Sequence, residues 1–232
     1  CVTRRQRQMC IRDRDLFELD PFLLDAAGLA YPDLFRFGEG SAYGVEILFE
    51  KRQGYITGYL GYTWGYTWRK FPGFNTDPTI QLSSGETAKA RFYPPKYDRR
   101  HDVNLILNYS ISPKWKLTGA WVYATGQAYT QVLGRYALLD DPFGASEFNN
   151  AFTVGKVNAS RLPSYHRMDF SAQRTGSLFG MQTLLQLQII HVYNRRNVWF
   201  QNFDFDENPV KQTDVTLLPI IPAISITFNY PK

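Results

Sequence analysis

Strict two-residue alternation over unusually long segments constrains this chain more than any other feature. In HDVNLILNYSIS, Val103, Leu105, Leu107, Tyr109 and Ile111 share one face. Asp102, Asn104, Asn108 and Ser110 share the other, with Ile106 the apolar exception. After the turn SPK the pattern resumes, with Trp115, Leu117, Gly119, Trp121 and Tyr123 alternating with Lys116, Thr118, Ala120, Ala124 and Gly126. Successive side chains of a strand point to opposite faces, so each run reads as a strand with one apolar and one polar side. The pair reads as a β-hairpin.

The device recurs. SAYGVEILFEK sets Tyr43, Val45, Ile47 and Phe49 against Ala42, Gly44, Glu46 and Glu50. YITGYLGYTWGYTW follows after RQG. SYHRMDFSAQR and MQTLLQLQIIHVY flank GSLFG, and PAISITFNY ends the series. The expectation is seven strands, at 41–51, 55–68, 101–111, 115–129, 164–174, 181–193 and 220–230. Soluble strands usually run about 5–6 residues, whereas a tilted strand needs about 9–11 to cross a bilayer. Short connections, near 52–54, 112–114 and 175–180, alternate with long ones at 69–100, 131–162 and 194–218. A hairpin extension is expected in the last, through VWFQNFDF. Short turns at one end and long loops at the other are the layout of an outer-membrane barrel. The predicted fold is therefore all-β, an antiparallel transmembrane β-barrel segment. A soluble sandwich also alternates, but with shorter strands and a covered apolar face.

In hydrocarbon every backbone polar group must be paired within the protein, so strands span only as a closed barrel. The polar register then lines the lumen. Its candidates are Glu46, Asp102, Asn104, Asn108, Arg167, Asp169, Gln186 and Gln188. The aromatics Tyr62, Trp64, Tyr66, Trp121 and Tyr123 gather near strand ends, where amphipathic rings favour the membrane interface. Gly61, Gly65 and Gly119 read as bend or packing positions.

The chain carries 26 basic and 21 acidic residues, and five Arg against one Asp fall within residues 1–14. The remainder is nearly balanced, so no basic surface argues for nucleic acid. Both cysteines lie in the same stretch, Cys1 and Cys10, which excludes disulfides and thiolate metal sites from Ile11 onward. RRQRQMCIRDR reads, codon for codon, like a translated transposase adapter of the kind used for DNA sequencing libraries. Residues 1–14 are therefore expected to be a non-native scar, and residues 15–40 an outer loop before a partial barrel over 41–230. An odd strand count then implies lost partners upstream, since such barrels usually have even numbers.

AYGVEILFEKRQGYITGYLGYTW, FYPPKYDRRHDVNLILNYSIS, WVYATGQAYT, RLPSYHRMDFSA, VYNRRNVWF and LPIIPAISITFNY, in that order, resemble the C-terminal barrel region of TonB-dependent outer-membrane receptors. The resemblance implies a plugged 22-stranded barrel in the outer membrane of a Gram-negative-type cell. It implies coupling to the TonB complex through a missing N-terminal region, insertion by the barrel-assembly machinery, and import of a bulky scarce ligand. Siderophore, haem, cobalamin, oligosaccharide and peptide all remain open as that ligand. Phe228 and Tyr230 keep the aromatic spacing of an assembly signal, although Pro231 and Lys232 follow. Arg91, Arg99, Arg100 and His101 are the outer-loop ligand candidates, with RRHD expected to form a rim salt-bridge cluster. No cofactor, metal or catalytic group is expected. A passive porin or small structural barrel, and an outer-membrane hydrolase with its site near His101 and His166, are the alternatives.

Overall fold

The computed structural model describes residues 2–19, 35–71, 91–138, 149–207 and 210–229. Among these the fold is all-β and antiparallel. No helix long and apolar enough to cross a membrane is present among them, which bears on helical spans only.

Eight strands form one meandering sheet. They are β1 (Val2–Leu19), β2 (Phe35–Lys51), β3 (Ile56–Lys70), β4 (His101–Ser112), β5 (Trp115–Ala124), β10 (Tyr165–Leu178), β11 (Met181–Ile190) and β14 (Ile221–Asn229). Their order is β1-β2-β3-β4-β5-β10-β11-β14, so each strand pairs with the nearest long strand in sequence. Among the described residues β1 and β14 are not paired with each other, and the sheet is open. Three small two-stranded units rise from the long connections. They are β6 (Ala128–Tyr129) with β9 (Ser160–Arg161), β7 (Val132–Leu138) with β8 (Asn149–Val154), and β12 (Val198–Asp204) with β13 (Lys211–Thr216).

The seven expected strands are all present, with shifted ends. The strand expected over 115–129 stops at Ala124, and residues 128–129 pair with β9 instead. The loop 131–162 contains β7, β8 and β9, so much of it is ordered hairpin. The hairpin expected through VWFQNFDF is present as β12–β13.

At the N-terminus Val2 to Asp13 pair with Lys51 to Gly40 of β2 in register. Residues 15–40 are not simply a loop: 16–19 and 35–40 belong to the β1–β2 ladder, and 20–34 lie outside the described residues. The reason is that a ladder bonds main-chain groups, and the free edge of β2 accepts an extended neighbour whatever its side chains. The pairing does not follow the two-faced pattern. Arg4, Gln6 and Gln8 stand opposite Phe49, Ile47 and Val45.

From β2 to β14 the registers carry the alternation across every strand pair. Leu107 stands opposite Gly119 and Leu105 opposite Trp121. Phe170 stands opposite Ile189. Leu187 and Leu185 stand opposite Ile224 and Ile226. The outcome is one continuous apolar face and one continuous polar face. Among the described residues no other element covers the apolar face: Tyr43, Phe49, Leu107, Phe170, Leu187, Ile224 and Ile226 all remain exposed, Leu107 at 48% and Ile226 at 55%. The described core lies elsewhere. Phe71 and Tyr93 are buried against Leu16 and Val157, and Ala124 and Ala128 are buried nearby in the chain, all at the end of the sheet that carries the long loops.

Close backbone approach requires glycine at Gly126 and Gly58 among other positions. A Cβ on Gly126 would collide with the Leu162 carbonyl, and one on Gly58, whose φ is +150°, with the Ile106 carbonyl. Gly61, Gly65 and Gly119 are not such positions, because an added Cβ would meet little or nothing.

Candidate functional site

The polar register forms a hydrogen-bonded surface rather than isolated side chains. Asn104 Nδ2 donates to Asp102 Oδ1 at 2.5 Å, and Thr118 Oγ1 to Asn108 Oδ1 at 2.8 Å. Gln173 Nε2 donates to Gln186 Oε1 and Gln186 Nε2 to Gln188 Oε1, at 3.2 and 3.4 Å. Arg167 pairs with Asp169 at 3.0 Å. The predicted polar-face residues thus fall into four separate groups of cross-strand and i,i+2 contacts: Asp102–Asn104, Asn108–Thr118, Arg167–Asp169 and Gln173–Gln186–Gln188. Glu46 stands apart, exposed and opposite Thr63. A cavity of about 580 Å³ opens at the short-turn end beside this surface, lined in part by Ser110, Lys116, Gln173 and Thr175 of the polar register.

The aromatic candidates meet on the other face in one band. Tyr43 stacks on Tyr66 with centroids 5.6 Å apart, and Trp64 meets Tyr66 edge-on at 5.2 Å. Tyr62 lies 6.1 Å from the His101 ring, its hydroxyl 2.9 Å from Nδ1. Trp121 stacks with Tyr123, Tyr123 with His166, and His166 with Tyr193. The band crosses β2, β3, β4, β5 and β10 at nearly one height because the registers set Tyr43 opposite Tyr66, Trp64 opposite His101 and Tyr123 opposite His166. Edge-on and offset rings gain about 0.5–1.5 kcal/mol per pair beyond area burial.

Beyond the band, at the loop end, Asp98 is the organising residue. It is only 2% exposed. It accepts from Arg161 Nη2, pairs with Arg100 Nε at 3.4 Å, and caps the Thr67 backbone N–H at 3.0 Å. Arg161 also donates to the Asp98 and Gly126 carbonyls. Arg100 lies flat over Tyr66 at 3.6 Å and near Trp68 at 5.0 Å. Both the Arg100 and His101 backbone N–H groups donate to Thr125 Oγ1. The rim cluster expected from RRHD therefore exists, but it is built on Asp98. Asp102 takes Asn104 instead. Arg99 is exposed over the Tyr165 ring, and Arg91 is exposed. The four outer-loop candidates do not converge on one pocket.

A second cluster closes β11 onto β10. His191 lies just past β11, 4% exposed, with φ +65°. Its backbone N–H donates to Asp169 Oδ1 at 2.9 Å. Asn197, 2% exposed, pairs its side-chain amide with His166 in both directions: His166 N–H donates to Oδ1 and Nδ2 donates to the His166 carbonyl. The amide thus substitutes for a neighbouring strand, and its Nδ2 also lies 3.0 Å from His191 Nε2. Tyr193 hydroxyl sits 2.7 Å from His166 Nδ1, and burial holds the Tyr193 phenol above the ordinary tyrosine range. His166 and Asp169 point to opposite faces and engage different partners, so they form no acid–base pair.

The loop hairpins also lock together. Arg135 pairs with Asp206 at 2.6 Å, Phe152 packs on Phe205 at 5.7 Å, and Tyr129 hydroxyl donates to Gln201 at 2.6 Å. Among the described residues no group of three or more His, Cys, Asp and Glu could hold a metal. At the C-terminal end Phe228 is exposed opposite Thr183, and Tyr230 lies outside the described residues. Fold and site together define an antiparallel sheet with one uncovered apolar face, one hydrogen-bonded polar face and ordered hairpins at a single end. Comparison with protein-family models, curated proteins and solved structures finds no match for the chain.

Proposed function

We propose that this chain is wall of an outer-membrane β-barrel, part of a receptor of the TonB-dependent kind that imports a bulky, scarce ligand. The observation that carries the reading is the uncovered apolar face running from β2 to β14. Contiguous exposed apolar patches on soluble monomers rarely exceed a few hundred Å², and larger ones mark interaction with a membrane or a partner. The in-register aromatic band supports it, since such rings favour the headgroup boundary. So does the arrangement of tight turns at one end and hairpin-bearing loops at the other. In this reading lipid contacts the apolar face, the polar face lines the lumen, and the docked hairpins form the outer mouth. TonB and the assembly machinery are the partners.

Lipid exposure is tested by single-cysteine fluorophores at Leu107, Ile226, Asn104 and Gln186 after refolding into vesicles of brominated lipid. Quenching at Leu107 and Ile226 but not at Asn104 and Gln186 is the expected result. Equal quenching at all four sinks the barrel reading. Transport is tested with the natural gene that carries this segment, by measuring uptake with and without TonB. Loss of uptake without TonB supports the receptor. Uptake that persists points to the second reading, a passive or structural small barrel, which the eight strands of the main sheet favour.

A further inference from the structure

We infer that the loop end of the apolar face binds a phosphorylated lipid, its acyl chain against Trp68 and Phe92 and its phosphate at Lys70 and Arg100. The inference rests on the membrane reading above. Trp68 and Lys70 occupy alternate positions of β3, on the register of Tyr62, Trp64 and Tyr66, and two residues of strand span roughly 7 Å. Arg100 reaches the same face from the start of β4, over Tyr66 and Trp68. Lys70 Nζ lies 5.6 Å from the Phe92 centroid. Trp68 and Phe92, the rings these cations neighbour, line with Ser41 an apolar notch of about 270 Å³ among the described residues. An apolar notch whose two rings each have a cation beside them is complementary to an acyl chain ending in a phosphate.

Among the described residues the charges are not cancelled. Lys70 makes no ion pair with any of them, although Glu39 is its register partner. Arg100 shares the single carboxylate of Asp98 with Arg161. In this described rim Lys70, Arg99, Arg100 and Arg161 stand against Glu39 and Asp98, four cations to two anions. A basic cluster just beyond a hydrocarbon-facing surface meets the headgroup layer, where each cation contributes about 1 kcal/mol of attraction to anionic lipid. Arg174 provides an internal comparison. It lies over Trp115 at 5.6 Å on the same face, but at the short-turn end.

The test uses the protein refolded in phosphatidylcholine vesicles, with thermal unfolding read as phosphatidylglycerol is added. Phosphatidylglycerol is expected to raise the midpoint, while inorganic phosphate in the same vesicles does not. Lys70→Gln is expected to weaken the phosphatidylglycerol effect about fivefold, the equivalent of about 1 kcal/mol. The Lys70→Gln/Arg100→Gln double variant is expected to weaken it further, and Arg174→Gln to leave it unchanged. Should Arg100→Gln fail to fold, Lys70→Gln against Arg174→Gln decides alone. Equal responses in Lys70→Gln and Arg174→Gln, or no preference for phosphatidylglycerol, overturn the inference while leaving the barrel intact. Equal stabilisation by inorganic phosphate overturns the lipid assignment in favour of a free-anion site. Failure of the unaltered chain to adopt β-structure in phosphatidylcholine refutes the membrane reading itself, and this inference with it.

Discussion

Asp98 and Asn197 are both only 2% exposed, and each ties separate chain segments together at the loop end. Removing one partner of a buried ion pair leaves an uncompensated charge, at a cost of about 3–5 kcal/mol. Asp98→Ala is therefore expected to lower stability by about 3 kcal/mol or more in detergent urea titrations, because it strands Arg161 and Arg100 and frees the Thr67 N–H. Asn197→Ala removes both contacts to the His166 backbone. Each buried polar group left unsatisfied costs about 1–3 kcal/mol, so hydrogen exchange in β12–β13 is expected to accelerate while β3–β4 stays protected. An unchanged exchange rate there contradicts the clamp. Neither residue stands out in the sequence. Asp98 in YDRRHD sits beside three basic neighbours, and only the fold shows that Arg161, 63 positions away, completes the pair. Asn197 lies within VYNRRNVWF, a segment legible as a family resemblance but silent on which amide turns inward.

At the level of the strand, alternation is informative because it is a local property that the ladder preserves. The seven strands from β2 to β14, the Tyr62/Trp64/Tyr66 run and the Asp102/Asn104/Asn108 register all follow from it. What escapes it is the pairing of segments without alternation. β1 pairs with β2 through a main-chain ladder that ignores side-chain pattern, and β6, β9 and the β7–β8 hairpin are too short or too irregular to show a period. On the lipid-facing reading, Leu107→Arg is expected to cost about 2–4 kcal/mol in vesicle-refolded protein, as a charge near the midplane does. Asn104→Arg, on the opposite register three residues away, is expected to cost little. Equal costs contradict the two-faced strand. Urea midpoints in lipid vesicles measure both.

For the molecule as a whole, the buried residues among those described are almost all at one end. Ser171 is the exception on the polar face. A soluble sheet protein would place a core beneath its apolar side, whereas this one leaves Leu107, Leu187 and Ile226 open. In buffer without amphiphile the chain is accordingly expected to aggregate through that face and through the free edges of β1 and β14. Detergent is expected to give dispersed, β-rich particles by light scattering and circular dichroism. A monodisperse β-rich species in plain buffer contradicts this. That each long strand carries one apolar and one polar face was legible from the alternation. That the loop hairpins dock on each other through Arg135–Asp206 and Phe152–Phe205 was not, because those contacts join segments about 50–70 positions apart with no shared motif.

The meander order also has a mechanical consequence. From β2 onward each long strand is bonded to the preceding and the following long strand, so tension on the C-terminus first loads β14 against β11 and leaves β2–β5 slack. Extraction by a tethered tip is then a succession of rupture events, and its largest force should come just after β14 leaves, when the β12–β13 hairpin must break its contacts with the segment between β5 and β10.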